Sequence, residues 1–315
     1  MSSWKNFVES FKNADLMGKH QEAQEIMETG DLSKARLFLL EELEKKPKSQ
    51  SLLSTMAGLL EEQGEYDQAL KYYDRCLSVD NDDATIYNKA RILIQELDEF
   101  EDGLKTIKSF RGDNELEQGI EELKADALLH LEKFDECEKI CKKIMKEDPE
   151  ALDCIQIYAD CCYEQENYQK SLDLTEKILE LDSTDIDAQN NKADLLIRLE
   201  KYDEALKICD DLLSQDSSDE MALANKGEIF IQKSQFKEAV ILLQNCVLID
   251  PTYDEAWILL AKAQAHQNLI DDALDSLLVA TSLEPELLDK LECIKSEKIR
   301  KHERFQRLIS KQSEK

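Results

Sequence analysis

The sequence predicts an all-α chain built as a row of two-helix repeats, and three observations carry that prediction. Small side chains recur every 34 residues, at Ala35, Ala69, Gly103, Cys137, Ser171, Ala205, Ala239 and Ala273. A large apolar residue stands three places before each of them: Leu32, Tyr66, Phe100, Phe134, Tyr168, Tyr202, Phe236 and Ile270. The composition suits helices. Of 315 residues only 8 are Gly and 4 are Pro, while 35% are charged, and strands and turns draw on other residues.

The first helix of each unit is marked by a second small column, twelve places earlier: Ala23, Ala57, Arg91, Ala125, Ala159, Ala193, Gly227 and Ala261. Arg91 alone breaks it, and Ala90 lies beside it. Twelve places after the first column come Pro47, Asn81, Glu115, Pro149, Ser183, Ser217, Pro251 and Pro285, rich in turn and helix-stop residues. Two antiparallel helices of about 14 residues, ~20 Å each, approach closely only where small side chains face one another. The aromatic residue fills the space beside that approach. A single pair cannot bury its whole apolar face, so each unit must stack on the next.

The 34-residue length, the small residue inside the first helix, the aromatic-x-x-small signature (Tyr66 to Ala69, Tyr202 to Ala205, Phe236 to Ala239) and the terminal prolines resemble those of tetratricopeptide repeats. The resemblance implies a right-handed superhelical solenoid of about eight helix-turn-helix units, with helical caps. In that family's frame the units begin near 16, 50, 84, 118, 152, 186, 220 and 254 and cover residues 16–287. The match is strongest in units two and five to eight. In unit one, Lys19 and Glu22 replace expected apolar residues. Unit three departs twice: Ala90 comes one place early, and FRGDN (110–114) replaces the apolar end of the second helix. That helix is expected to stop at Gly112, leaving an irregularity in the stack.

The ends differ from the repeats. Trp4, Phe7, Val8 and Phe11 form one stripe at helical spacing, which predicts a capping helix over 1–15. Over 288–315 a second stripe (Leu288, Leu291, Ile294, Ile299, Phe305, Leu308, Ile309) predicts a C-terminal capping helix with a basic tail. The tail's Lys and Arg could lie on the acidic body, meet an acidic partner, or be solvated.

The formal charge of −29 argues against a nucleic-acid backbone as partner, because phosphate affinity requires clustered Lys and Arg. Nine cysteines in a chain this long read as reduced thiols. No apolar signal core opens the sequence and no run has membrane-spanning length, so the expectation is a cytoplasmic protein without a membrane partner. Oligomeric state is not written in the pattern.

No catalytic motif is present, so no enzyme and no cofactor is predicted. The glycines are scattered, which leaves no phosphate-cradling loop, and His20, His130, His266 and His302 are far apart. VDNDDA (79–84) resembles part of a calcium loop but lacks its glycine and distal glutamate, which favours a solvated turn. Cys137, Cys141, Cys154, Cys161 and Cys162 could approach a zinc ion, yet several hold positions of small core residues, so core filling is expected and no metal is assigned.

Counted within a unit, positions 2, 5, 6, 9, 12 and 13 share one face of the first helix, away from the small columns. In tetratricopeptide proteins that face lines a concave groove holding extended peptides or partner segments. Here it carries Asn191 and Asn225 at position 6, with Asn190 adjacent and Asn88 displaced by one. An amide supplies both donor and acceptor and so suits a peptide backbone. Asp126, Asp160, Asp194 and Glu228 follow at position 9, an acidic column that predicts a partner segment bearing Lys or Arg; the bland alternative is a solvated acidic face. Lys124, Lys192 and Lys226 stand one place after the asparagine position, to temper the column or pack between repeats. The family's chaperone-tail clamp needs basic residues in three consecutive units, and a search of positions 2, 5, 6 and 9 finds only Lys89 and Lys262. The expected function is therefore a non-catalytic adaptor or scaffold holding a protein segment in its groove. The alternatives are an assembly or regulatory subunit docking through the basic C-terminal helix, and an enzyme with an inter-helix active site.

Overall fold

The computed structural model describes residues 18–112, 116–284 and 297–310. The N-terminal cap expected over 1–15, and residues 285–296 and 311–315 of the C-terminal segment, lie outside the described residues. Every regular element among the described residues is helical. The chain divides into two compact units, Met1–Cys161 and Cys162–Lys315, the division falling inside one helix.

The first unit holds α1 (18–28), α2 (Leu32–Lys45), α3 (Gln50–Glu62), α4 (Tyr66–Val79), α5 (Asp83–Arg91), α6 (Phe100–Ile107), α7 (Glu117–His130) and α8 (Phe134–Glu147). Then comes α9 (Leu152–Glu164), which crosses the division. The second unit continues with α10 (Tyr168–Leu181), α11 (Ile186–Arg198), α12 (Tyr202–Gln215), α13 (Glu220–Gln232), α14 (Phe236–Ile249), α15 (Asp254–His266) and α16 (Ile270–Leu283). It ends with α17 (Glu297–Arg300) and α18 (Glu303–Ser310). Consecutive helices pack against one another from α2 to α8 in the first unit and from α10 to α16 in the second.

Both small columns are interior. Ala35, Ala69, Cys137, Ala205, Ala239 and Ala273 are wholly enclosed, as are Ala23, Ala57, Ala125, Ala193 and Ala261. At Gly227 even a methyl group is excluded, since a Cβ there would meet Leu243 Cγ at 2.7 Å. Close approach at these points is what lets Leu and Ile side chains of neighbouring helices interlock in continuous cores.

The turn inside each repeat carries a feature the sequence pattern does not display. One residue adopts a left-handed conformation at every 34th position: Gly30, Gly64, Asp98, Glu132, Glu166, Glu200, Ser234 and Asn268. It closes the first helix by reversing the chain so that the next amides reach back. Glu200 N–H donates to Ile197 O at 2.9 Å and Lys201 N–H to Leu196 O at 2.8 Å, and the same pair recurs at 132, 166, 234 and 268. This satisfies carbonyls that the helix end would leave unpaired. The linkers between repeats use aspartates instead. Asp182, Asp216 and Asp250 each accept the amide two residues on, and Asp185 and Asp219 cap α11 and α13.

The irregularity of unit three has a physical origin. The linker before α5 is three residues, 80–82, where those before α3, α9, α11, α13 and α15 have four, so α5 starts one place early. A π-turn over Ile92–Glu96 then absorbs the extra residue, and Asp98 returns to register. Ala90, wholly buried, thereby takes the small-column position that Arg91 vacates. The expected stop at Gly112 is corrected: α6 ends at Ile107, and Gly112 takes φ +74 in the following segment. At the other end, Ile299 and Phe305 are buried against Ala261, Ala273, Leu274 and Leu277. Arg304 pairs with Asp275 and lies 3.9 Å from Asp271.

Candidate partner-binding face

In the second unit the first-helix face assembles around a guanidinium. Asp194 and Arg198 stand one turn apart on α11, 2.9 Å from carboxylate to nitrogen. Both terminal nitrogens of Arg198 also reach Glu228 of α13 at 3.4 Å, and Glu255 of α15 lies 3.7 Å away. Three repeats thus converge on one cation, with three carboxylates to a single guanidinium. Desolvation opposes the charge of Arg198, but the Glu228 and Asp194 carboxylates outweigh it and hold the group above its ordinary value. Glu255 is pushed up, first by desolvation and then by Asp194, with Arg198 opposing. Tyr163 closes the group; burial and Asp194 push its hydroxyl up.

The asparagines divide into two kinds. Asn190 is 2% exposed; its Nδ2 donates to the Asp219 carboxylate at 3.2 and 3.3 Å, and its Oδ1 is buried without a partner. Asn225, also buried, donates from Nδ2 to Asn190 O at 3.2 Å. These two amides tie α11 to α13, so the expectation that they present free donors to a peptide is corrected. Position 5 and the inner edge of position 6 turn towards the neighbouring helix rather than outwards. Asn191 and Asn88 are half-buried. The one-place displacement of Asn88 follows from the early start of α5, which puts it in the register of Asn191.

The first unit carries a parallel arrangement. Arg91, carried onto the first-helix face by the early start of α5, pairs with Glu61 of α3 and lies 3.5 Å from Glu96. Tyr73, almost fully buried, donates its hydroxyl to Glu61, and burial and that carboxylate push it up. Asp126 lies 3.5 Å from His130 and is raised by burial, with His130 and Gln95 opposing. His130 stacks on Phe100 at 4.6 Å. Asp160 accepts from Gln156 at 2.8 Å.

The lysines one place after the asparagine position do not reach the acidic column. Lys89, Lys192 and Lys226 pair with Asp74, Glu176 and Asp210 of the preceding repeat's second helix, at 2.6, 2.9 and 2.5 Å. Lys124 lies 3.6 Å from Glu121. Among the described residues no group of three or more His, Cys, Asp or Glu could hold a metal ion. Asp82, in the fragment resembling a calcium loop, caps α5 by accepting from Thr85 N at 2.9 Å. The face thus offers carboxylates in excess of cations around Arg198, with polar side chains on the same helices. The sequence pattern marks Arg91 only as a break in the small column, and it does not single out Arg198, Glu255 or Tyr163. Arg198 and Glu255 hold positions 13 and 2 of the same face, so the spacing rule already contained them.

Two family models match the sequence. One, described as a tetratricopeptide repeat, matches residues 50–92. The other, described as subunit 3 of the anaphase-promoting complex (cyclosome), matches 120–178, 132–211 and 199–280, overlapping placements that together span about half the chain. No curated protein matches. Solved structures share the fold. A tetratricopeptide repeat protein from Parabacteroides merdae is 18% identical, with 78% of this chain and 97% of that one covered and a TM-score of 0.65. PilW, a type IV pilus biogenesis factor, is 16% identical, with 66% and 96% covered and a TM-score of 0.59. Yeast Tom70 is 18% identical, with 90% and 62% covered and a TM-score of 0.56. This fold is in general a scaffold for contacts between proteins. The periodic cores, the repeated turn and these matches together establish that the chain belongs to the tetratricopeptide-repeat family.

Proposed function

We propose that the protein is a non-catalytic adaptor that holds an extended segment of a partner protein along its first-helix face, and that the segment bears Lys or Arg. The observation that carries this reading is the gathering of Asp194, Glu228 and Glu255 around the single Arg198. One cation leaves the group short of positive charge, and an incoming ammonium or guanidinium supplies it. Asn191, half-buried on the same helix, offers an amide to the segment's backbone. The overall charge of −29 adds long-range attraction that weakens with salt. The same charge argues against nucleic acid. A cytoplasmic location fits the reduced thiols. Among the described residues no helix is long and apolar enough to cross a membrane. Docking through the C-terminal helix is less favoured, because Ile299 and Phe305 are spent on the last repeat.

The test is an array of extended peptides, with and without Lys and Arg, probed with the full chain at low and high salt. Peptides bearing Lys or Arg should be retained, less so at high salt. Glu255→Gln combined with Asn191→Ala should lower retention several-fold while helicity is unchanged. Equal retention of uncharged peptides, or no response to the paired substitution, would overturn the reading.

A further inference from the structure

Four thiols are gathered where α8 meets α9. Cys137, Cys141, Cys154 and Cys161 are all wholly enclosed, and each is a thiol rather than half of a disulfide. Cys137 and Cys141 stand one turn apart on α8, and Cys154 and Cys161 lie on α9. Cys141 is in hydrogen-bonding contact with both Cys137 and Cys154, and Cys137 also with Cys161. Cys154 further donates to Cys141 O at 3.5 Å, and Cys161 to Phe134 O at 3.6 Å, so both thiols of α9 face α8. The other buried cysteines are different. Cys76 and Cys246 each donate to a backbone carbonyl, of Gln50 and Glu220, and burial pushes them up to about 11 and about 12. They are ordinary filler, whereas the four form a chain of sulfur contacts that crosses the helix pair twice.

We propose that this cluster is an oxidative modification site, forming disulfides Cys137–Cys161 and Cys141–Cys154 that staple α8 to α9. The oxidant is a low-molecular-weight disulfide. For each bond, a protein thiolate attacks one sulfur of the oxidant, its S–S bond breaks, and one thiol leaves. The partner cysteine, giving its proton to solvent, attacks the mixed disulfide, forms the protein S–S bond and expels the second thiol. Two protein thiols are oxidised, and one external disulfide is reduced to two thiols. Hydrogen bonds from Cys141 and Cys161 lower Cys137 against the effect of its burial, while Cys137, Cys154 and burial raise Cys141. Cys137 therefore supplies the attacking thiolate of the Cys137–Cys161 bond and Cys154 that of the Cys141–Cys154 bond, and local opening of the hairpin admits the oxidant.

The experiment treats the full chain with oxidised glutathione, alkylates the remaining thiols, and maps non-reduced peptides after cleavage at Lys and Tyr158. Four thiols should disappear from the alkylatable pool, with peptides containing 137 and 161, and 141 and 154, found joined. Cys161→Ser should abolish the first link and keep the second; Cys154→Ser should do the reverse. Circular dichroism of each variant tests that it is folded, and the wild-type map stands if a variant is not. Full alkylation of all four thiols, links made to Cys162, or equal links to Cys76, Cys209 and Cys246 would overturn the assignment.

Discussion

Arg198 of α11 meets the Glu228 carboxylate of α13 with both terminal nitrogens, each 3.4 Å from a different oxygen. Glu228 is only 5% exposed, so the pair is held largely out of water, next to Asp194 and Glu255. Arg198→Leu should therefore be severe, costing about 3–5 kcal/mol, because it leaves a buried carboxylate beside two others. Glu228→Leu should cost about 1–3 kcal/mol, since Arg198 keeps Asp194. The double variant should be more stable than Arg198→Leu alone. Urea denaturation of the four proteins completes the cycle, and a mild Arg198→Leu would refute the account.

Two glycines should respond oppositely to the same change. Around Gly58, inside α3, a Cβ would meet nothing within 4 Å, so Gly58→Ala should stabilise by about 0.5–1 kcal/mol through backbone entropy. At Gly227 the added methyl would press on wholly buried Leu243, and Gly227→Ala should destabilise by about 1–3 kcal/mol despite its better helix propensity. Shifts of midpoint in the same direction would contradict the packing argument.

The left-handed turn position predicts gains. Glu200 sits at φ +59, where a side chain costs roughly 1–2 kcal/mol relative to glycine, offset in part by glycine's greater freedom when unfolded. Glu200→Gly should raise stability by about 0.5–1 kcal/mol. Glu132→Gly and Glu166→Gly should behave alike, as thermal unfolding would reveal.

Asp126 supplies a pH signature. Burial raises its carboxyl above the ordinary 3.8, so the folded protein holds the proton more tightly than the unfolded chain. Its contribution is fullest below 3.8 and is lost as pH rises through the folded value. Asp126→Asn should then be more stable than the parent at neutral pH, with the gap closing on acidification. Stability curves against pH for the two proteins test this, and a variant weaker at neutral pH would reverse the sign.

Much of the fold was legible because packing acts at fixed spacing. Ala205 and Ala239 must be small wherever two helices touch, and the sequence has few ways to hide that. Asp194 and Glu228 were reachable too, since position 9 follows from helical geometry alone, and both stand beside Arg198. The asparagines were not. A face rule places Asn190 and Asn225 correctly, but it cannot say that their amides reach Asp219 and Asn190 O in preference to solvent. Arg198 escaped because its partners lie on three different repeats, and the search for basic residues covered positions 2, 5, 6 and 9 only. The left-handed turn escaped for another reason. Six of its eight positions hold Asp, Glu, Ser or Asn, and only Gly30 and Gly64 advertise the conformation. The early Ala90 was the one visible trace of the π-turn.

The short linker at 80–82 and the π-turn at 92–96 act as a matched error and its repair. A phase slip opened in one is cancelled by the other within a single helix, so Asp98 and everything after it keep time with the repeats before. Such an array can rewrite the outward chemistry of one brick, here by swinging Arg91 into view, while its neighbours are left undisturbed.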